Sequence, residues 1–289
     1  MIKKFKFIIK KYFENWLPPI LLRYLYRCAE ELKFSSYSHK EILAKNKTLK
    51  GAGKGKRAFL LATGPSLKKE NLKSLAGEDC CSVSNFFLHE DINLIKPKFH
   101  FFASYHEPII FENYAQWLAK ADRELPPDTK IFLGHKALDI AREFKLFPNR
   151  EVHYLYMVSH PSRNNVDITR GVQSPQTGPL MVLPVLLYME YKKIYLLGCD
   201  HTQLRDYKKS VTNFYEKEKD VRVIKPGTSI WIDIIQEMQA NLNVFLQYDF
   251  YKKIAEDSGM IEIINLSSDS WLDIFGFGNI KEVFSEKPG

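Results

Sequence analysis

The sequence predicts an α/β fold, a doubly wound and mostly parallel sheet. Three observations predict it. The run Ala58-Phe59-Leu60-Leu61-Ala62 is apolar throughout, of strand length, and breaks abruptly into Thr63-Gly64-Pro65-Ser66. A second apolar run, Ile194-Tyr195-Leu196-Leu197, breaks in the same way into Gly198-Cys199-Asp200-His201. Around these two, strand-like runs alternate with helical segments, as crossover units of a Rossmann-like sheet require.

The apolar, β-branched and aromatic runs predict strands at 57–62, 80–84, 98–104, 130–133, 152–157, 193–197 and, last, 261–266. Helical spacing of apolar residues predicts helices at 68–75, 109–120, 136–144 and 179–191, and a long one over 229–257 that Gly259 stops. Ser66, with Glu70 nearby, suits an N-cap for the first of these, and Pro179 suits a first helical turn. Residues 158–176 are polar without a period and read as an ordered loop or lid. The stretch 203–227 is charged and polar. Residues 29–56 read as a connector; its end, Gly51-Ala52-Gly53-Lys54-Gly55-Lys56, lacks the ending of a phosphate-binding P-loop and reads as a flexible lead-in.

Charge is concentrated at one end. The 289 residues carry a net +8, but Lys3, Lys4, Lys6, Lys10, Lys11, Arg23 and Arg27 stand against only Glu14 in residues 1–28, a local +6. The rest is close to neutral, which argues against a nucleic-acid-binding face. Phe5, Ile8, Ile9, Tyr12, Phe13 and Trp16 recur at helical spacing opposite most of the lysines, with Phe7 out of pattern, and Pro18-Pro19 is expected to stop this helix. A basic amphipathic helix of this kind suits an anionic membrane surface through residues 1–17, or else packs on its own domain. No segment has the ~18 apolar residues that span a bilayer, and no secretory signal is recognisable. The expected organisation is a membrane-associating segment (1–28), a connector (29–56) and an α/β domain (57–289), at the cytoplasmic membrane face. Cys28, Cys80, Cys81 and Cys199 lack metal-ligand spacing and read as buried thiols of a reducing compartment.

Ligands of open α/β sheets bind outside the carboxyl ends of the strands. The residues there are Thr63-Gly64-Pro65-Ser66, Asn85, Tyr105-His106, Gln176-Thr177-Gly178, Gly198-Cys199-Asp200-His201 and Asn265-Leu266-Ser267-Ser268. They are small and polar, with few fixed cations. That set suits a nucleotide with one phosphate, held by backbone N–H groups, hydroxyls and helix N-termini, better than a triphosphate. Asp200 beside His201 is the sharpest pair. An Asp there can orient a base, hold a sugar hydroxyl, ligate a metal, act as a nucleophile or simply cap a turn.

The order Thr63-Gly64-Pro65-Ser66-Leu67, Ser84-Asn85, Thr177-Gly178 and Ile194-Tyr195-Leu196-Leu197-Gly198-Cys199-Asp200 resembles the bacterial sialyltransferases of glycosyltransferase family 42 and related Kdo transferases, over roughly residues 57–201. The resemblance implies a GT-A-like variant of the Rossmann-like sheet. It implies transfer of an acidic 2-keto sugar, sialic acid-like or Kdo, from a CMP donor to a surface-glycan or lipid-linked saccharide. No metal and no cofactor beyond the donor is expected, because the nucleoside monophosphate is already a good leaving group. Thr63, Gly64, Pro65, Ser66, Asn85, Thr177, Gly178, Asn265, Ser267 and Ser268 would hold the donor. The family carries Asn where Thr63 stands, a serine within the turn that is Gln176-Thr177-Gly178 here, and a base histidine on a later loop. Residues 221–229 contain no histidine, so His201, then His106, are the expected bases, with Asp200 as nucleophile if configuration is retained. The alternatives are an ATP- and magnesium-dependent diphosphokinase on the same scaffold, with Asp200 as a metal ligand, or a non-catalytic nucleotide- or glycan-binding protein.

Overall fold

The computed structural model describes residues 16–159, 166–207, 209, 213–222, 225–226 and 233–285. Residues 1–15, which carry most of the basic arm, lie outside them. Among the described residues nine strands form one sheet: β1 Arg57–Leu61, β2 Asp79–Val83, β3 Phe99–Phe102, β4 Lys130–Gly134, β5 Val152–Val158, β6 Gly171–Gln173, β7 Lys193–Leu197, β8 Glu262–Asn265 and β9 Gly276–Phe277. Their order is β6-β5-β4-β3-β2-β1-β7-β8-β9, and every neighbouring pair is parallel. The predicted doubly wound parallel α/β sheet is therefore present. The chain winds outward from β1 to β6, returns, and adds β7 on the other side of β1. The winding reverses between β1 and β7, which makes their carboxyl ends the crevice of this sheet.

The helices in chain order are α1 Pro19–Ser35, α2 Glu41–Ala44, α3 Ile92–Ile95, α4 Phe111–Glu124, α5 Leu138–Glu143, α6 Pro179–Tyr188, α7 Ile234–Ser258 and α8 Ile280–Ser285. Two cores result, one on each face. Successive residues of β1 alternate between them: Phe59 and Leu61 join α4 (Tyr114, Trp117, Leu118, Ala121), whereas Ala58 and Leu60 join α6 and α7 (Tyr248, Tyr251, Ala255). Burial on both faces explains why β1 reads as a continuous apolar run. α6 is buried along its whole length, so it shows no polar face. Asp233 caps α7, its side chain accepting from the Gln236 N–H, and Gly259 at φ +62° ends it.

Several elements depart from expectation. The helix expected at 68–75 is two 3-10 turns, Pro65–Lys69 and Leu72–Leu75; Gly64, not Ser66, holds the N-cap position of the first, and the Ser66 hydroxyl donates to Asp200 instead of capping. The stretch 158–176 contains β6, and β9 follows the strand expected to be last. At Pro18-Pro19 the chain does leave the helical conformation, as expected: Trp16 is helical, Leu17 and Pro18 (φ −53°, ψ 137°) are not, and a new helix then follows. Pro19 opens α1, a place where its missing N–H costs nothing. The lead-in expected to be flexible is pinned. Asn46 is fully buried and donates to the Tyr154 and Ile168 carbonyls at 2.8 Å each, while His153 Nδ1 meets its Oδ1 at 2.9 Å. The Gly53 N–H donates to the Met189 carbonyl (2.7 Å), and a Cβ on Gly53 would stand 2.6 Å from the Tyr191 ring. Cys80, Cys81 and Cys199 are buried free thiols, but Cys28, on α1, is only half-buried.

Candidate functional site

The C-terminal ends of β7, β1, β2, β3, β4 and β5 open into one cavity of about 860 Å³. At ~4.8 Å between strands it extends about 24 Å across the sheet. One end of it is the crevice between β1 and β7. There the two turns are clasped together. The Gly64 N–H donates to the Gly198 carbonyl (2.9 Å), the Ser66 N–H donates to Asp200 Oδ2 (2.8 Å), and the Ser66 hydroxyl donates to Asp200 Oδ1. A Cβ on Gly64 would stand 2.5 Å from that carbonyl and 2.6 Å from the Asp200 carboxyl, so only glycine lets the turns approach this closely. Burial pushes the Asp200 carboxyl above the usual range, although the two Ser66 donors pull against it. Both of its oxygens are engaged by Ser66, and Asp200 acts here as the fastener of the Thr63–Ser66 turn.

His201 lines the cavity next to Asp200 with its backbone at φ +50°. Its Nε2 lies 2.8 Å from the hydroxyl of Tyr248 on α7, and burial lowers its pKa to about 4. It is thus neutral at pH 7 and weakly basic. His106 also lines the cavity, on the exposed loop after β3. Gln176, Thr177, Gly178 and Pro179 bring the N-terminus of α6 to the wall, and helix N-termini favour anions. Gln247 of α7 fixes that turn, accepting from the Gln176 N–H (2.9 Å) and donating to the Ser174 carbonyl (3.2 Å).

Of the residues singled out from sequence, His201, Asp200, His106, Thr63, Gly64, Pro65, Thr177 and Gly178 line this cavity. Ser66 stands behind the turn as the partner of Asp200. Asn85, Asn265, Ser267 and Ser268 do not line it. Asn85 is buried, accepting from Trp117 Nε1 (2.5 Å), and Ser84, at φ +55°, takes the cavity position instead. Asn265 donates to Ser270 and to the Leu272 carbonyl, and Ser267 Oγ accepts from the Cys199 N–H at 3.0 Å. These two brace the β7 turn from behind. Ser268 is exposed outside the cavity.

The cavity also gathers residues the sequence did not single out: Lys136, Lys209, Arg222, Asp206 and Glu237. Arg222 lies 4.6 Å over the Trp117 ring and pairs with Asp220 at 2.6 Å. Burial alone would raise the Asp220 carboxyl, but the Arg222 guanidinium outweighs it and holds it low. Lys209 pairs with Asp206 at 3.3 Å. Nothing in the aperiodic stretch 203–227 marks Arg222 as inward-facing. Gln247 and Tyr248 carry a weak signal, since they extend the buried face of α7 that Glu237 and Asn241 begin. Among the described residues no group of three or more His, Cys, Asp or Glu is arranged to hold a metal ion, and no helix is long and apolar enough to cross a membrane.

No family model matches the chain, and no curated protein matches it by sequence. Among solved structures it is similar to the sialyltransferase CstII from Campylobacter jejuni in complex with the substrate analogue CMP-3FNeuAc. The identity is 14%, 76% of this chain and 85% of that chain are covered, and the TM-score is 0.41. It is likewise similar to CST-II in complex with a trisaccharide acceptor and CMP, at 14% identity, covering 77% of this chain and 86% of that chain with a TM-score of 0.42. At TM-scores below 0.5 the likeness assigns no function, and the chemistry of the site is decided by the residues of the chain itself.

Proposed function

We propose that the chain is a glycosyltransferase that binds a CMP-activated acidic 2-keto sugar at the β1–β7 crevice and passes the sugar to a saccharide hydroxyl. The carrying observation is the clasped pair of turns, Thr63–Ser66 on Gly198–Asp200, at the reversal point of the sheet, together with the charge balance of the cavity. Among the described residues its wall sets three cations (Lys136, Lys209, Arg222) against three carboxylates (Asp200, Asp206, Glu237). A triphosphate would need a strong cationic excess. One phosphate and one sugar carboxylate need only the α6 N-terminus, hydroxyls and one or two lysines. The donor class comes from the motif resemblance in β1, β7 and the Thr177-Gly178 turn.

The acid–base roles divide by environment. An efficient base has a pKa near the working pH. His201, lowered to about 4 with Nε2 at the Tyr248 hydroxyl, is far from that range, and its role is a neutral hydrogen-bonding wall. His106 stands at the open rim, where an acceptor hydroxyl enters, and takes the role of base. The test is calorimetric titration with CMP, and with ATP plus magnesium, followed by CMP release from CMP-Neu5Ac and CMP-Kdo. CMP binding without metal, with donor turnover that His106→Ala removes, is expected. Binding of ATP with magnesium alone would support the diphosphokinase instead, and no nucleotide response would overturn both.

A further inference from the structure

α1 is a 17-residue helix without a single buried residue, yet it is far from polar. Ile20, Leu21, Tyr24, Leu25 and Leu32 are exposed, as is Trp16 just before it, from 42% for Leu21 to 81% for Trp16. At ~100° per residue the five helical side chains fall within an arc of about 140°. Helices this short gain their stability from packing an apolar face, and a contiguous exposed apolar face marks an interaction surface. The C-terminal end of α1 is tied down. Phe34 packs edge-on against Tyr156 (centroids 5.1 Å apart), and Glu31 pairs with Arg170 at 2.7 Å. Tyr156 in turn stacks on His135 at 4.2 Å, and His135 lines the cavity. The anchored end of α1 is therefore two ring contacts from the cavity wall.

We propose that the apolar arc of α1 docks on an anionic lipid bilayer and so holds the β4–β5 end of the cavity near the membrane surface. Charge selects the occupant. Arg23 and Arg27 stand on α1, and residues 1–28 carry a net +6. A second copy on the same face would oppose two such segments, whereas an anionic bilayer neutralises them. Tyr and Trp beside leucines suit the depth at which an interfacial helix lies. The docking stands whether or not the transferase reading does.

The experiment is co-sedimentation of the full chain with phosphatidylcholine vesicles with and without phosphatidylglycerol. The unchanged protein should partition onto the anionic vesicles. The triple variant Leu21→Gln/Leu25→Gln/Leu32→Gln, which keeps helix propensity, should lose binding by about ten-fold or more. Arg23→Gln/Arg27→Gln leaves the apolar arc in place and should weaken binding only at low salt. Undiminished binding of the triple variant would overturn the proposal. So would equal binding to both vesicle types, or concentration-dependent dimerisation with no vesicle binding. CMP titration without vesicles reads the crevice separately, so loss of one result does not imply loss of the other.

Discussion

Adding one methyl group at Gly64 tests the clasp directly. The backbone there is ordinary, at φ −63°, so Gly64→Ala introduces no torsional strain and acts through contact alone. The new Cβ would meet the Gly198 carbonyl at 2.5 Å and the Asp200 carboxyl at 2.6 Å, where ordinary contact begins at 3.4 Å. The turns must part by about 0.8–0.9 Å. That movement stretches the Gly64–Gly198 hydrogen bond and both Ser66–Asp200 bonds. A neutral bond contributes about 1 kcal/mol and bonds to a charged group about 1.5–3 kcal/mol each. With partial relaxation the expected loss is about 3–5 kcal/mol, which for a chain of 289 residues lowers Tm by roughly 5–8 °C. In the protein that remains folded, displacement of the turn approaching 1 Å should weaken CMP binding about ten-fold, the loss of roughly one hydrogen bond to the ligand. Calorimetric unfolding and CMP titration measure both. Gly276→Ala is the control, since no atom lies within 4 Å of its Cβ position and its φ is not left-handed; it should stay within about 0.5 kcal/mol. If Gly64→Ala matches that control in both measurements, the clasp does not hold the crevice.

Two further outcomes are expected. His201 sits at a pKa of about 4 in the fold against about 6.5 unfolded. The unfolded chain therefore takes up its proton first as pH falls, and up to ~3 kcal/mol of stability is lost between pH 6.5 and 4. His100, lowered to about 3, and His153, lowered to about 4, act with the same sign. His201→Gln should flatten the denaturation midpoint against pH over this window, and an unchanged slope would refute the burial argument. Asn46→Ala removes the pin between the lead-in and the β5–β6 region, leaving two buried carbonyls without their donor. A loss of about 2–4 kcal/mol in urea unfolding is expected, and a loss under 1 kcal/mol would show the pin to be dispensable.

What the sequence made legible is what hydrophobicity encodes locally. β1 and β7 are buried on both faces, so they stand out as apolar runs, and the turns after them are marked by residues that tolerate sharp geometry. Gly259 likewise announces the end of α7. What stayed hidden depends on distant partners. β6 has three residues and β9 two, too few for a periodic signal, and each exists because a neighbouring strand offers its edge. Ser66 reads as a cap because its partner, Asp200, is 134 residues away. Asn85 follows its strand as expected, but Trp117 on α4 draws it inward, and Ser84 faces the cavity. Arg222 lies in a stretch without period, and Asp220 with the Trp117 ring gives it its place.

The strand order also sets a timetable for synthesis. β1 pairs on one side with β2, which comes next in the chain, and on the other with β7, which is complete only when residue 197 has been made. At ~5–20 residues per second, the wait between them is roughly 7–27 s. During that time β1 is an unprotected apolar edge in the middle of the future sheet, the part of the nascent chain most open to mispairing or to a chaperone. The crevice between β1 and β7 comes into being only with the arrival of β7, so the cavity there is built by joining the later part of the chain to its beginning.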